Sequence, residues 1–350
     1  MGLKSRSAYL VVLLALLAAA CSSEGGGGGG GSSGEGGKVT ARVQLSWIPD
    51  CQFAGYLMAD KKGYYSEEGL DVKLLPGGPN VNPQQQVATG SADMTIAKVA
   101  ALYAARAQGL PMKGIAQFDQ RSSFPLVAFK ESGVRSPTDL KQKRVGIWYD
   151  GDEYEVLAML AKFGLDPKKD VTLFEQGFTM DPFLDHQYPV AMVTTFNELN
   201  VLYLSGVTED QLTVLNPSDY GITIPHGALL ASEQWLAGNH KAAVSFVRAT
   251  LKGWNYAFAN VAETAAVCAA SSKAAGGEAA TGELEKLQEM MVKSIQPLQL
   301  PEGFAKEDQG KIDVGLYENV AQIVYRFGLV KEPVDVAASF DATVWQEATT

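Results

Sequence analysis

An α/β protein of two lobes with a cleft between them is the fold class this sequence predicts, and three observations predict it. From residue 38 onward, apolar runs of strand length alternate with segments of helical period, the pattern of sheets built largely from parallel strands. The alternation halts near 120–125, begins a second series, and halts again near 220–230, as a chain does when it leaves one sheet for another and returns. The length of 350 residues, 46% of them hydrophobic and 19% charged, suits two bodies better than one.

Each element has its own signal. Val39, Ala41, Val43, Leu45 and Trp47 alternate with polar or small residues, a half-buried strand, and helical spacing follows over 53–62. A strand at 70–75 ends at the turn sequence PGGP, and a helix through Val87 leads to a third strand at 92–97. The Ala-rich segment 99–109 is helical with Gly109 as its C-cap, and 114–117 is a short strand. The alternation resumes after FPLVAF (124–129), and the second series holds strands at 144–149, 171–175 and 190–195. Around them lie helices after Ser136-Pro137, over 155–164, near 182–186 and over 197–204. The chain returns through 222–232, and helices dominate 233–327. The lobes are therefore expected at 38–124 plus 226–350 and at 125–225, joined by two crossings that form a hinge.

The first 37 residues stand outside this fold. Lys4 and Arg6 precede an uncharged apolar run over 8–20, shorter than the ~20 residues that span a bilayer, so the segment reads as an export signal. Its end, with Ala19 and Ala20 before Cys21, resembles a bacterial lipobox, in which the cysteine is lipidated. Leu17 lies four residues before Cys21 where that motif prefers three. Residues 22–37, rich in Gly and Ser, form a tether reaching roughly 20–25 Å. The expectation is signal peptide 1–21, tether 22–37, and an extracytoplasmic domain held at a cell membrane by a lipid anchor. Gly36-Gly37-Lys38 is no P-loop, because Val39 stands where Ser or Thr is required.

Composition and motif spacing remove other chemistries. A net charge of −10 and a pI near 4.9 argue against nucleic acid as a partner. His186, His226 and His240 have no metal-ligand spacing, so no metal site is expected, and no nucleophile elbow occurs in the folded part. Cys51 and Cys268 lie far apart in sequence and read as two ordinary thiols. Asp150, Asp152, Glu153 and Glu155 read as acids at a helix N-terminus.

The block WxPxxxFAGYxxAxxxGYYxxEGLDV at 47–72 resembles the opening of solute-binding proteins for aliphatic sulfonates, thiamine-pyrimidine precursors and riboflavin. VATGSADMTIA (87–97), ARAQGLP (105–111) and SPTDLKQKRVGI (136–147) continue the similarity, which runs over most of 40–330. The resemblance implies a two-lobed fold of the type II periplasmic-binding-protein kind, closing on its ligand as a monomer without a cofactor. It also implies the permease and ATPase of an ABC importer as partners. The same family contains the fungal thiamine-pyrimidine synthase, but its lysine and histidine positions become Ala97 and Ala101 here. Its cysteine motif falls on 221–225, which has no cysteine.

Ligands of open α/β sheets bind beyond the carboxyl ends of the strands, so the candidate site residues lie there. Trp47 and Trp148 offer stacking faces, with Phe53 and Tyr149 beside them and Phe178, Phe196 and Tyr220 also near strand ends. Phe53 and Phe178 read equally well as core. Gln52, Gln117, Asn197 and Glu198 can read ring nitrogens and amino or carbonyl groups. The loop WYDGDEYE (148–155) presents carboxylates with no Lys or Arg, which disfavours phosphate or sulfonate. An unphosphorylated heteroaromatic vitamin or precursor is the expected solute, a thiamine pyrimidine slightly ahead of riboflavin. An aliphatic sulfonate or nitrate-like anion comes third.

Overall fold

A computed structural model of the chain describes residues 37–78, 81–149, 151–177, 179–277 and 283–350. Cys21, the signal segment and nearly all of the tether, together with Asp150 and Phe178, lie outside the described residues. Among the described residues there are ten strands. β1 (Val39–Gln44), β2 (Leu70–Leu75), β3 (Met94–Ala97) and β4 (Met112–Gln117) come first. β5 (Leu126–Phe129), β6 (Arg144–Ile147), β7 (Thr172–Glu175), β8 (Val190–Met192) and β9 (Leu212–Leu215) follow, and β10 (Ala228–Ser232) closes the series.

They form two five-stranded sheets, ordered β2-β1-β3-β10-β4 and β7-β6-β8-β5-β9. β1 runs parallel to β2 and β3, and β6 parallel to β7 and β8. One strand in each sheet is antiparallel to both neighbours, β10 in the first and β5 in the second. These are the strands entered directly from the crossings. A chain arriving from the hinge side must run away from it, against strands whose carboxyl ends point toward it. Residues 212–215 carry a strand that periodicity alone does not mark, because LTVL has only two buried positions and sits at a sheet edge.

The first sheet is covered by the long helix Glu233–Ala259, capped by Ser232 Oγ accepting from Trp235 N at 3.4 Å. It packs on helix Ala54–Lys61 at very short range. A Cβ on Gly253 would stand 2.0 Å from the Gly55 carbonyl oxygen, and one on Gly55 would stand 2.2 Å from the Trp254 ring. Two glycines thus let the helices close, and Trp254, Tyr56 and Phe246 fill the core around the contact.

The thiols are not free. Cys51 and Cys268 form a disulfide with Cα atoms 5.2 Å apart, which corrects the expectation of two ordinary cysteines. A separation of 217 residues hid the proximity. Helix Val261–Ala274 packs on the turn Cys51–Phe53 and brings two fully buried sulfurs together. The same turn is fixed by Cys51 N donating to Gln288 Oε1 at 2.7 Å. Reductant is expected to lower the stability of the protein by about 2–4 kcal/mol in urea unfolding. A variant with both Cys51→Ala and Cys268→Ala should be insensitive to reductant, and equal midpoints for the wild type with and without reductant would refute the bond.

Candidate functional site

The carboxyl ends of β1, β3, β6, β7 and β8 face one another across a cleft of about 990 Å³. Trp47 follows β1 and is half-buried, its carbonyl accepting from Gly77 N at 2.9 Å. Gly77 allows that approach, since a Cβ there would lie 2.3 Å from the Leu45 oxygen. Opposite stands Trp148 after β6, whose Nε1 donates to the Gly177 carbonyl at 3.3 Å and whose ring meets Phe124 edge-on at 6.4 Å. Tyr149 beside it is 41% exposed. The two indoles thus come from different sheets and wall the same space.

Among the candidate residues, Trp47, Gln52, Trp148, Tyr149, Asn197 and Glu198 lie on the cleft wall. Phe53 and Gln117 do not, and both expectations are corrected. Phe53 ends the turn that follows Asp50, so its fully buried side chain points into the core of the first lobe. Gln117 is fully buried, its Nε2 donating to the carbonyls of Asp119 at 2.7 Å and His226 at 2.6 Å. It ties the two crossings together and has no face left for solute. Phe196 lines the cleft, while Tyr220 packs edge-on against Phe163 at 5.3 Å, away from it.

Charges on the wall are largely engaged. Glu198 accepts from Thr194 N at 2.9 Å, Thr194 Oγ1 at 2.6 Å and Asn197 Nδ2 at 2.8 Å. Asp50 caps the turn by accepting from Gln52 N at 3.0 Å. Glu153 accepts from Gly151 N at 2.9 Å. Sequence reasoning gave Lys98 no role, yet it lies on the wall at the end of β3, where strand-end topology could have found it. It forms an ion pair with Asp152 from the other lobe and stands 3.4 Å over the Phe124 ring. The acidic loop therefore does have a basic partner, contributed from across the cleft. The neutral wall residues Asn82, Gln84, Gln85 and Gln108, and the alanines of helix Val99–Ala107, extend the cleft beyond the indoles. Among the described residues no group of His, Cys, Asp and Glu is arranged to hold a metal ion.

The hinge is defined by where its hydrogen bonds change hands. On the first crossing, Gln120 N donates to Leu298 O at 2.7 Å, holding that residue to the first lobe. Two residues on, Ser122 N donates to Ser218 Oγ and Ser122 Oγ to Glu155 Oε2, each at 2.7 Å, in the second lobe. On the return crossing, Ile224 N donates to Glu155 Oε1 at 2.6 Å, while the Pro225 carbonyl accepts from Val99 N at 3.4 Å. The crossings change partners at residues 120–122 and 224–225.

A family model described as NMT1/THI5 like matches residues 50–264, more than half of the chain. The chain belongs to the NMT1/THI5-like family. The riboflavin-binding protein RibY of Chloroflexus aurantiacus is 32% identical over 305 residues, covering 85% of this chain and 83% of that one. The formylaminopyrimidine-binding protein of Halalkalibacterium halodurans is 28% identical over 63% of this chain and 67% of its own. A 4-amino-5-hydroxymethyl-2-methylpyrimidine phosphate synthase of Schizosaccharomyces pombe is 28% identical over 36% of each chain. The periplasmic aliphatic sulphonate binding protein SsuA of Escherichia coli shares the fold, with a TM-score of 0.64 at 13% identity over 86% of this chain and 92% of that one. The chain is thus similar to binding proteins over most of its length and to a synthase over about a third of it.

Three buried carboxyls adjoin the cleft and hinge. Burial pushes Asp50, Asp119 and Glu155 each up to about 7, against hydrogen bonds that favour the charged form. A raised carboxyl keeps in the native state a proton the unfolded chain has lost. That contribution is full below about pH 4 and is lost as pH rises through about 7, so stability should fall across this window. Each coupled proton contributes about 1.4 kcal/mol per pH unit to the slope. Glu155→Gln should reduce the slope of unfolding free energy between pH 5 and 7, and an unchanged slope would mean Glu155 is ionised there.

Proposed function

We propose that this protein is a solute receptor, not an enzyme, and that its solute is an uncharged heteroaromatic vitamin of riboflavin size. The observation that carries the reading is the pair Trp47 and Trp148, offered from opposite lobes to one cleft of about 990 Å³. Closing the lobes brings two indoles onto the faces of a flat ring, each stack adding about 1 kcal/mol beyond buried area. The volume is at the upper end of the range of about 300–1,000 Å³ usual for small-molecule sites. It has room for a tricyclic ring and a polyol chain, and the Asn and Gln side chains beyond the indoles suit hydroxyl groups. A single aminopyrimidine would leave much of it empty, so riboflavin moves ahead of the thiamine precursor. The 32% identity to a riboflavin-binding protein over 85% of the chain supports the same ranking.

A sulfonate or nitrate finds little to pair with. Lys98 is already held by Asp152, and the remaining charged wall residues are carboxylates. Synthase chemistry lacks its groups, since the lysine and histidine positions carry Ala97 and Ala101. The receptor role brings with it the permease and ATPase of an ABC importer. A position outside the cytoplasm, with Cys21 lipidated, agrees with the apolar N-terminal run and with the disulfide, which persists in oxidising compartments.

Thermal-shift assays with the purified protein separate the solutes. Riboflavin should raise the melting temperature most, aminopyrimidines less, and alkanesulfonates not at all; the reverse order would overturn the reading. Trp148→Ala should weaken riboflavin binding by roughly tenfold without lowering the melting temperature of the free protein by more than a few degrees. Unchanged affinity would make Trp148 structural only.

A further inference from the structure

A second cavity, about 10 Å³ and close to the size that admits one water molecule, lies beneath the cleft. Gln52, Phe196 and His226 line both spaces. The wall of the small cavity is unusually polar for a place inside a core. Tyr56 and Trp254, each 1% exposed, belong to it, and their Oη and Nε1 atoms have no hydrogen-bond partner among the described residues. Buried polar atoms are nearly always paired, so two such atoms on one small cavity call for an occupant.

Asp119, 5% exposed and on the first crossing, supplies the third polar wall. Gln299 lines the same recess, and its Oε1 accepts from Gln309 Nε2 at 2.9 Å. The Asp119 charge is close enough to be felt at the Tyr56 hydroxyl. Gly227 on the return crossing keeps the space clear. A Cβ there would come 3.1 Å from Asp119 Cγ, and its φ of +71° is one that glycine adopts without strain. His226 is held neutral by burial, lowered to about 3, so it adds no charge to the wall.

The three groups select the occupant by chemistry. An indole N–H only donates, while a phenol, and a buried carboxyl such as Asp119 that keeps its proton up to about pH 7, can do either. Above that pH an anion would face the carboxylate, and a metal cation would face the indole N–H. A single oxygen carrying hydrogen can accept from Trp254, donate to Asp119 and exchange either bond with Tyr56. We propose that this recess is an inner hydroxyl site, built to hold one O–H oxygen between the hinge and the helices Ala54–Lys61 and Glu233–Ala259. That oxygen belongs either to a captive water or to a hydroxyl group of the solute reaching past Gln52.

Crystal structures of the full chain, one without solute and one soaked with riboflavin, test the site and tell the sources apart. At a resolution that resolves other buried waters, the solute-free crystal should show an isolated oxygen about 3 Å from an Asp119 carboxylate oxygen and from Trp254 Nε1 or Tyr56 Oη. Persistence of that peak with riboflavin bound assigns it to water, and its replacement by a ribityl hydroxyl assigns the site to the solute. No density in either crystal, or direct pairing of Trp254 Nε1 and Tyr56 Oη with protein atoms, overturns the proposal. The solute-free crystal decides the site even if riboflavin does not bind, so the two readings can fail separately.

Discussion

One buried carboxyl joins the two chain crossings to the second lobe. Glu155 belongs to a helix of the second lobe, yet its two oxygens accept from Ser122 on the outgoing crossing and from Ile224 on the returning one. Both crossings are thereby attached to the second lobe within a residue or two of their attachment to the first. On the other side, Gln117 holds the Asp119 and His226 carbonyls together, so the first lobe also grips both crossings at one point. Each crossing is thus held on both sides by buried side chains within a few residues.

The cleft sets a particular pair of surfaces opposite each other. The rings of Trp47 and Trp148 follow β1 and β6, and the ion pair of Lys98 with Asp152 spans the same gap. An ion pair across a cleft screens the acidic loop that would otherwise repel a solute bearing carbonyl oxygens. The first-lobe rim is held by its own restraints. Cys51 is bonded to Cys268, Asp50 caps the turn, and Gly77 seats the strand end that carries Trp47. A rigid rim matters because stacking loses its value when an aromatic face must be ordered on binding.

Most of the order of strands and helices, though not the edge strand β9, was legible in the sequence because each buried face writes its period into the chain, and the block from Trp47 to Val72 carried the family. The antiparallel sense of β5 and β10 was not legible, since hydrophobic period says nothing of direction. Trp47, Gln52, Trp148, Tyr149, Phe196, Asn197 and Glu198 line the cleft because strand-end position is a topological property that sequence conveys. Phe53 and Gln117 do not, because one turn of backbone decides whether a side chain faces solvent or core. Lys98 was passed over for a related reason: its partner Asp152 is 54 residues away and in the other lobe. The disulfide and the recess under the cleft depend wholly on distant packing, which no local pattern records.

Titration of riboflavin with the purified protein, followed by the vitamin's own fluorescence, tests the central claim most directly. A ring held between Trp47 and Trp148 should lose its emission saturably, reaching a plateau at one molecule per chain. Emission that stays unchanged as protein is added in micromolar excess would contradict the account.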